Sequence, residues 1–177
     1  HYQPIVNLED EKVQGVEALL RWNHPTRGTV MPDRFIPLAE QTGLIRPLTY
    51  WALDTAARHL RDWHQHNVQV PLAVNLSVRT LRDPQLIERI DACVATWGLG
   101  PEWLELEITE SVAMENPERA IGQLEALRDL GIELAIDDFG TGYSSLAYLK
   151  RLPIQVLKLD RTFVRDIETD PSDAEIS

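Results

Sequence analysis

Two stretches decide the fold: Trp103 to Ile108, WLELEI, and Ile132 to Asp137, IELAID. Successive side chains on a strand point to opposite faces. In the first stretch Leu104, Leu106 and Ile108 then share an apolar face, and Glu105 and Glu107 point the other way. In the second, Ile132, Leu134 and Ile136 form the apolar set and Asp137 lies opposite. Each stretch is a short strand with one face for helices and one for carboxylates. VPLAVNL (70–76) reads as a strand buried on both faces, and QVLKLD (155–160) as another, with Lys158 opposite Leu157 and Leu159. Helical spacing fills the intervals, over 82–97, ending at Gly98 and Gly100, over 117–130, ending at Gly131, and over 144–151, closed by Pro153. A further helix begins near Arg161.

Strand followed by helix, repeated from residue 70, predicts a parallel sheet with helical crossovers. Before it, YQPIVNL (2–8) and VQGVEALLRW (13–22) read as two strands joined by EDEK. A short helix runs from an N-cap at Asp33 to Gly43, and a long one covers 47–66. The sheet can be open and doubly wound, or closed as a barrel. No glycine-rich phosphate turn follows an early strand. The polar residues favour the barrel. Asn75, Glu107, Asp137 and Lys158 each sit at or near the C-terminal end of a strand, turned from the helices, and Glu17, Leu19 and Arg21 share a face of the second strand. In a (β/α) barrel that face is the interior, and its C-terminal mouth holds the active site.

The chain has 177 residues, one cysteine and a formal net charge of −11, with 44% apolar and 25% charged residues. This suits one domain with one core. No basic stripe for a DNA or RNA polymer is visible, and no apolar run approaches the roughly 20 residues of a membrane span. With no signal peptide at the start, a cytoplasmic setting is expected, including the cytoplasmic part of a larger membrane-anchored protein. Cys93 reads as a buried thiol, and His64 and His66 as solvated or capping residues near a helix end. Carboxylates gathered in a core repel one another and lose hydration. A divalent cation removes both costs, and an all-oxygen donor set indicates Mg2+ or Mn2+ rather than zinc.

EALLRW (17–22), YQPIV (2–6), VNLS (74–77), EITES (107–111), DDFGTGYSSL (137–146) and LKLDRTF (157–163) together resemble, in order and spacing, the motifs of the bacterial EAL family of cyclic di-GMP phosphodiesterases. The resemblance runs the length of the chain. It implies a (β/α)8 TIM-type barrel with an irregular antiparallel first strand. It also implies metal-dependent hydrolysis of one phosphodiester of cyclic di-GMP to linear pGpG. By the same resemblance Glu17, Asn75, Glu107 and Asp137 match the ligands of one metal, and Asp137 and Asp138 match those of a second. Lys158 matches the lysine that contacts the catalytic water. Arg21 matches the residue that grips a phosphate, and Gln3 the one that contacts a guanine, with Leu19 and Asn75 also on the substrate side. Glu110 matches a glutamate that steadies the loop 139–146, which couples the metal site to a dimer interface. Mg2+ or Mn2+ would support turnover, and Ca2+ would inhibit it.

Because Asp137 and Asp138 are adjacent, both reach metals only if the strand ends at 137 and the chain bends there, with Gly140 and Gly142 supplying the freedom. Six strands are expected within 1–177, read as one EAL domain that is incomplete at its C-terminus. The last two barrel strands, an EGVE-like glutamate and a QG glutamine of the family do not occur in it. The segment alone is therefore expected to be inactive. Fusion to sensory or GGDEF domains and a homodimer are expected of the parent protein. The alternative is a catalytically inactive EAL domain that serves as a cyclic di-GMP receptor.

Overall fold

In a computed structural model that describes residues 1–110, 117–140 and 149–165, the outward leucines and isoleucines of the central strands are the core. Leu106 and Leu134 are fully buried, as are Leu60, Leu72, Leu86, Leu124 and Leu127. Each such side chain contributes about 1.5–3 kcal/mol. Together they join one face of the sheet to the helices in a single cluster.

The main sheet has six strands: β1 (Tyr2–Val6), β2 (Val13–Ala18), β5 (Leu72–Asn75), β6 (Leu104–Thr109), β7 (Glu133–Phe139) and β8 (Val156–Leu159), paired in that order. β1 runs antiparallel to β2, and the rest pair in parallel. The crossovers carry α2 (Ile45–Gln65), α3 (Val78–Leu81), α4 (Leu86–Trp97) and α5 (Pro117–Asp129). A hairpin of β3 (Trp22–His24) and β4 (Gly28–Val30) precedes α1 (Pro32–Thr42), and α6 (Arg161–Arg165) follows β8.

The sheet is strongly curled, and one ion pair demonstrates it. Lys158 on β8 lies four strands from Glu17 on β2. In a flat sheet that spacing is roughly 19 Å, beyond the joint reach of the two side chains. Yet Lys158 Nζ sits 3.1 Å from Glu17 Oε2. The inner face, turned from the helices, is therefore concave.

Several sequence expectations need correction. The second strand stops at Ala18 rather than 22, so strand alternation no longer places Arg21 beside Glu17. Residues 22–30 form the β3–β4 hairpin, which makes eight strands among the described residues instead of six. Asp33 is not the N-cap of α1. Met31 holds that position and Pro32 opens the helix, where its missing N–H costs nothing. The helix expected over 82–97 begins only at Leu86, and the short α3 (Val78–Leu81) precedes it. Pro84 disfavours helical backbone at Asp83, and Asp83 Oδ1 instead accepts the Gln85 N–H at 3.1 Å. His64 is not solvated: its ring packs edge-on against Trp103, centroids 4.5 Å apart. Residues 144–148 of the helix expected over 144–151, and 141–146 of the loop 139–146, lie outside the described residues.

β7 does not end at Asp137. It continues to Phe139 through a bulge. Ile136 pairs with Leu157 and Phe139 with Leu159, so Asp137 and Asp138 both stand opposite Lys158 in register, with Asp137 Oδ1 3.6 Å from Lys158 Nζ and Asp138 exposed beside Asp160. Asp138 takes a left-handed backbone, φ 52°. Two residues opposing one is how a bulge re-aims side chains. The bend lies at Asp138 itself, ahead of the glycines.

Candidate active site

Inner-face carboxylates climb the curled sheet in steps. Gln3, Glu17, Ala73, Glu105 and Glu133 occupy one cross-strand row. Asn75, Glu107 and Ala135 occupy the next, and Thr109 and Asp137 the one above. Such stagger accompanies strand tilt in a curled sheet. It brings oxygens of Glu17, Glu107 and Asp137, from three strands, within 4.8 Å of one another. Asn75 joins them, its Nδ2 donating to Glu17 Oε1 at 2.9 Å. Lys158 Nζ lies 2.6 Å from Glu107 Oε1, 3.1 Å from Glu17 Oε2 and 3.6 Å from Asp137 Oδ1. One ammonium thus faces three carboxylates.

The electrostatics follow from burial. The Glu107 side chain is fully buried. Burial pushes its carboxyl up to about 7, helped by Glu17 and Asp137 and opposed by Lys158. Burial alone would lower the Lys158 ammonium, but the Glu107 hydrogen bond and the charges of Glu107, Asp137 and Glu17 hold it above the ordinary lysine value. Asp138 is raised by partial desolvation and by its neighbours Asp137 and Asp160.

Residues present here fit a hard divalent cation. The donors are oxygens, they converge from separate strands, and Glu107 Oε2 is buried without a hydrogen-bond donor among the described residues. A buried carboxylate oxygen left in that state is costly unless something positive meets it.

A cavity of about 360 Å³ opens beside the cluster. Its wall includes Glu17, Leu19, Asn75 and Asp137, with Leu20, Ile36, Ile45 and Leu76 supplying apolar surface. Gln3 lies in register with Glu17 on the neighbouring β1. Arg21 is not brought to this cavity. Its Nη1 donates to Leu20 O at 2.7 Å, and it lines two neighbouring hollows with Trp51. Glu110, 2% exposed, accepts the Gly140 N–H through Oε2 at 2.9 Å.

Sequence reading missed Glu40, Thr49, Ser77 and Thr109, which line the same cavity. Glu40 and Thr49 come from α1 and α2, and no strand alternation reports where a helix will dock. It also left Glu105 and Glu133 unassigned, although the same alternation places them on the inner face one step deeper. Burial raises the Glu105 carboxyl, and Glu133 adds to the rise.

A curled, parallel-rich α/β sheet with converging acids at its strand ends defines the class, and comparison with known proteins gives the family. The family model described as the EAL domain matches residues 1–177, and the chain belongs to that family. It is 48% identical over 178 residues to the cyclic di-GMP phosphodiesterase NbdA of Pseudomonas aeruginosa, an alignment covering 100% of this chain and 23% of that protein. It is 45% identical over 177 residues to the bifunctional diguanylate cyclase/cyclic di-GMP phosphodiesterase MucR of the same organism, covering 99% and 26%. Its fold matches a solved structure, the PaMucR phosphodiesterase in complex with c-di-GMP, with a TM-score of 0.94 at 45% identity, covering 99% of this chain and 72% of that one. The chain spans about a quarter of the length of these two curated relatives. Among the described residues no helix is long and apolar enough to cross a membrane.

Proposed function

We propose that residues 1–177 form the greater part of a single EAL phosphodiesterase domain that hydrolyses one phosphodiester of cyclic di-GMP to linear pGpG. The observation that carries this reading is the convergence of Glu17, Glu107 and Asp137 around Lys158, beside a cavity of about 360 Å³. Relatives named as cyclic di-GMP phosphodiesterases support it. So does the likeness to a structure bound to that nucleotide.

Glu17, Asn75, Glu107 and Asp137 would hold one Mg2+ or Mn2+, and Asp137 with Asp138 a second. Bound there, the cations would supply Lewis-acid stabilisation of phosphoryl charge and a water of lowered pKa. Asp138, beside Asp137 at the bulge, would turn toward the second cation. Lys158, held protonated by its three carboxylate neighbours, orients the attacking water by donating to it and holds its charge in place. Leu19 and the apolar cavity wall exclude solvent beside the scissile phosphate, which strengthens every charge interaction there. Gln3 offers an amide to the guanine edge. Arg21 would grip a substrate phosphate from beside the cavity, with guanidinium donors other than the Nη1 that meets the Leu20 carbonyl. Glu110 fixes the start of the loop 139–146 through Gly140.

The complete domain closes as a (β/α)8 barrel with two further strands. In its parent it is joined to sensory or GGDEF domains, acts as a homodimer and works in the cytoplasm. The test is turnover by the complete protein. Cyclic di-GMP with Mg2+ or Mn2+ should yield pGpG on chromatography, and Ca2+ in their place should inhibit, because it tolerates looser geometry than the octahedral ion. Tight nucleotide binding without any product under either metal would make the domain a receptor and sink the enzymatic reading.

A further inference from the structure

Gly140 follows the paired aspartates and is held from two sides. Its N–H donates to the buried Glu110 carboxylate at 2.9 Å. On its other side lies Phe163, carried by α6. A Cβ built on Gly140 would stand 2.5 Å from Phe163 Cε2 and 2.7 Å from Cζ. Those distances are far inside van der Waals contact, so the ring occupies the space a side chain would need. Gly140 also has φ 99°, a conformation glycine alone adopts without cost. Glycine is therefore required here twice, once for its backbone and once for the ring above it.

Phe163 is itself anchored to the site. Asp160 N–H donates to Phe139 O at 3.3 Å, which fastens the exit of β8 to the end of β7. The Asp160 carboxylate accepts the Thr162 N–H at 2.8 Å, and its carbonyl accepts the Phe163 N–H at 3.1 Å. The run from Lys158 to Phe163 thus contributes an ammonium to the cluster and a ring to the turn that follows Asp137 and Asp138. Backbone freedom at the turn is removed from above by the ring and from below by Glu110. Asp138, left-handed and exposed, sits between these restraints and the cluster.

We infer that Phe163 is a positioning residue: its ring clamps Gly140 against Glu110 and so holds the β7 bulge on which Asp137 and Asp138 stand. Its kinetic consequence rests on the phosphodiesterase reading above, whereas its effect on Gly140 does not. A side chain that acts by holding ligands in place changes metal affinity and turnover and leaves the nucleotide cavity alone. Outer support of this kind is worth roughly 10- to 100-fold in metal affinity or activity.

The experiment uses the complete protein in five forms: wild type, Phe163→Leu, Phe163→Ala, Gly140→Ala and the double variant Gly140→Ala/Phe163→Ala. Three quantities are read: exchange of the Gly140 amide hydrogen, Mn2+ affinity by calorimetry, and kcat and KM for cyclic di-GMP. Phe163→Ala should speed Gly140 exchange, weaken Mn2+ and lower kcat, each roughly 10- to 100-fold, with KM within about twofold. Phe163→Leu, which keeps an apolar cover, should recover most of the loss. The double variant should lose far less than the product of the two single losses, because both act through one contact. Wild-type Mn2+ affinity and kcat in a folded Phe163→Ala protein would overturn the inference, as would strictly multiplicative losses in the double variant. Should Phe163→Ala fail to fold, Phe163→Val, too short to cover Gly140, takes its place with the same two outcomes. A wild-type protein inert towards cyclic di-GMP sinks the phosphodiesterase reading, and the Mn2+ and exchange measurements then decide on Phe163 by themselves.

Discussion

At the scale of the residue, Glu107 controls how the site responds to pH. It is fully buried, its carboxyl is pushed up to about 7, and its Oε2 has no hydrogen-bond donor among the described residues. A cation must meet the carboxylate form, so binding below that pH displaces a proton. Because the metal-free pKa is raised, affinity is lost as pH falls through about 7 and is complete above it. Calorimetric Mn2+ titrations should show affinity rising about tenfold per pH unit below pH 7 and levelling above, the slope of a single displaced proton. Glu107→Gln should bind weakly and abolish that slope. An unchanged slope in the variant would assign the proton to another group. The acid itself was legible in the sequence, because alternation in WLELEI turns Glu107 from the helices. Its raised pKa was not, since that depends on three other strands arriving at the same point.

At the scale of the element, the decisive features are the ends of strands. β5 leaves the sheet at Asn75, and the chain turns at once into α3, whose N-cap is Ser77. Its Oγ accepts the Thr80 N–H at 3.2 Å. Thr80, fully buried, meets Thr49 of α2 through hydroxyls 3.3 Å apart. One short motif thus fixes both the end of β5 and a wall of the cavity. Ser77→Ala should cost about 0.5–2 kcal/mol, the usual value of an N-cap, read as a lower urea midpoint at unchanged slope. A midpoint equal to wild type would mean that backbone pairing alone holds the turn. The sequence showed a strand followed by polar residues here, but α3 was missed because four residues carry too little periodicity. The β7 bulge was missed for a related reason. Two adjacent aspartates demand a bend, yet register is a property of the pair of strands, and the shift between Ile136 and Phe139 exists only against β8.

At the scale of the whole molecule, curvature and edges matter most. Curl brings residues of five strands into one site, as the 3.1 Å pair between β2 and β8 shows. Among the described residues, β1 and β8 have one strand neighbour each. Leu157 and Leu159 on β8 are 46% and 39% exposed. Unpaired edges with apolar residues invite association. Residues 1–177 expressed alone should therefore self-associate in light scattering and fail to hydrolyse cyclic di-GMP with Mn2+. A monodisperse monomer turning over cyclic di-GMP with Mn2+ would show that residues 1–177 need neither further closure nor a further ligand.

The sequence by itself determined the alternation of elements, the apolar face of each strand and the identity of Glu17, Asn75, Glu107, Asp137 and Lys158 as inward polar residues at strand ends. Those follow from periodicities of two and of 3.6 residues, which are local. Tertiary structure alone decided that these groups meet, that Arg21 lies off the strand, that α1 and α2 bring Glu40 and Thr49 to the cavity, and that Phe163 covers Gly140. Each of these depends on how far the sheet curls and on which register its strands adopt. Both are set by pairing and packing between segments distant in the chain, which a local pattern does not encode.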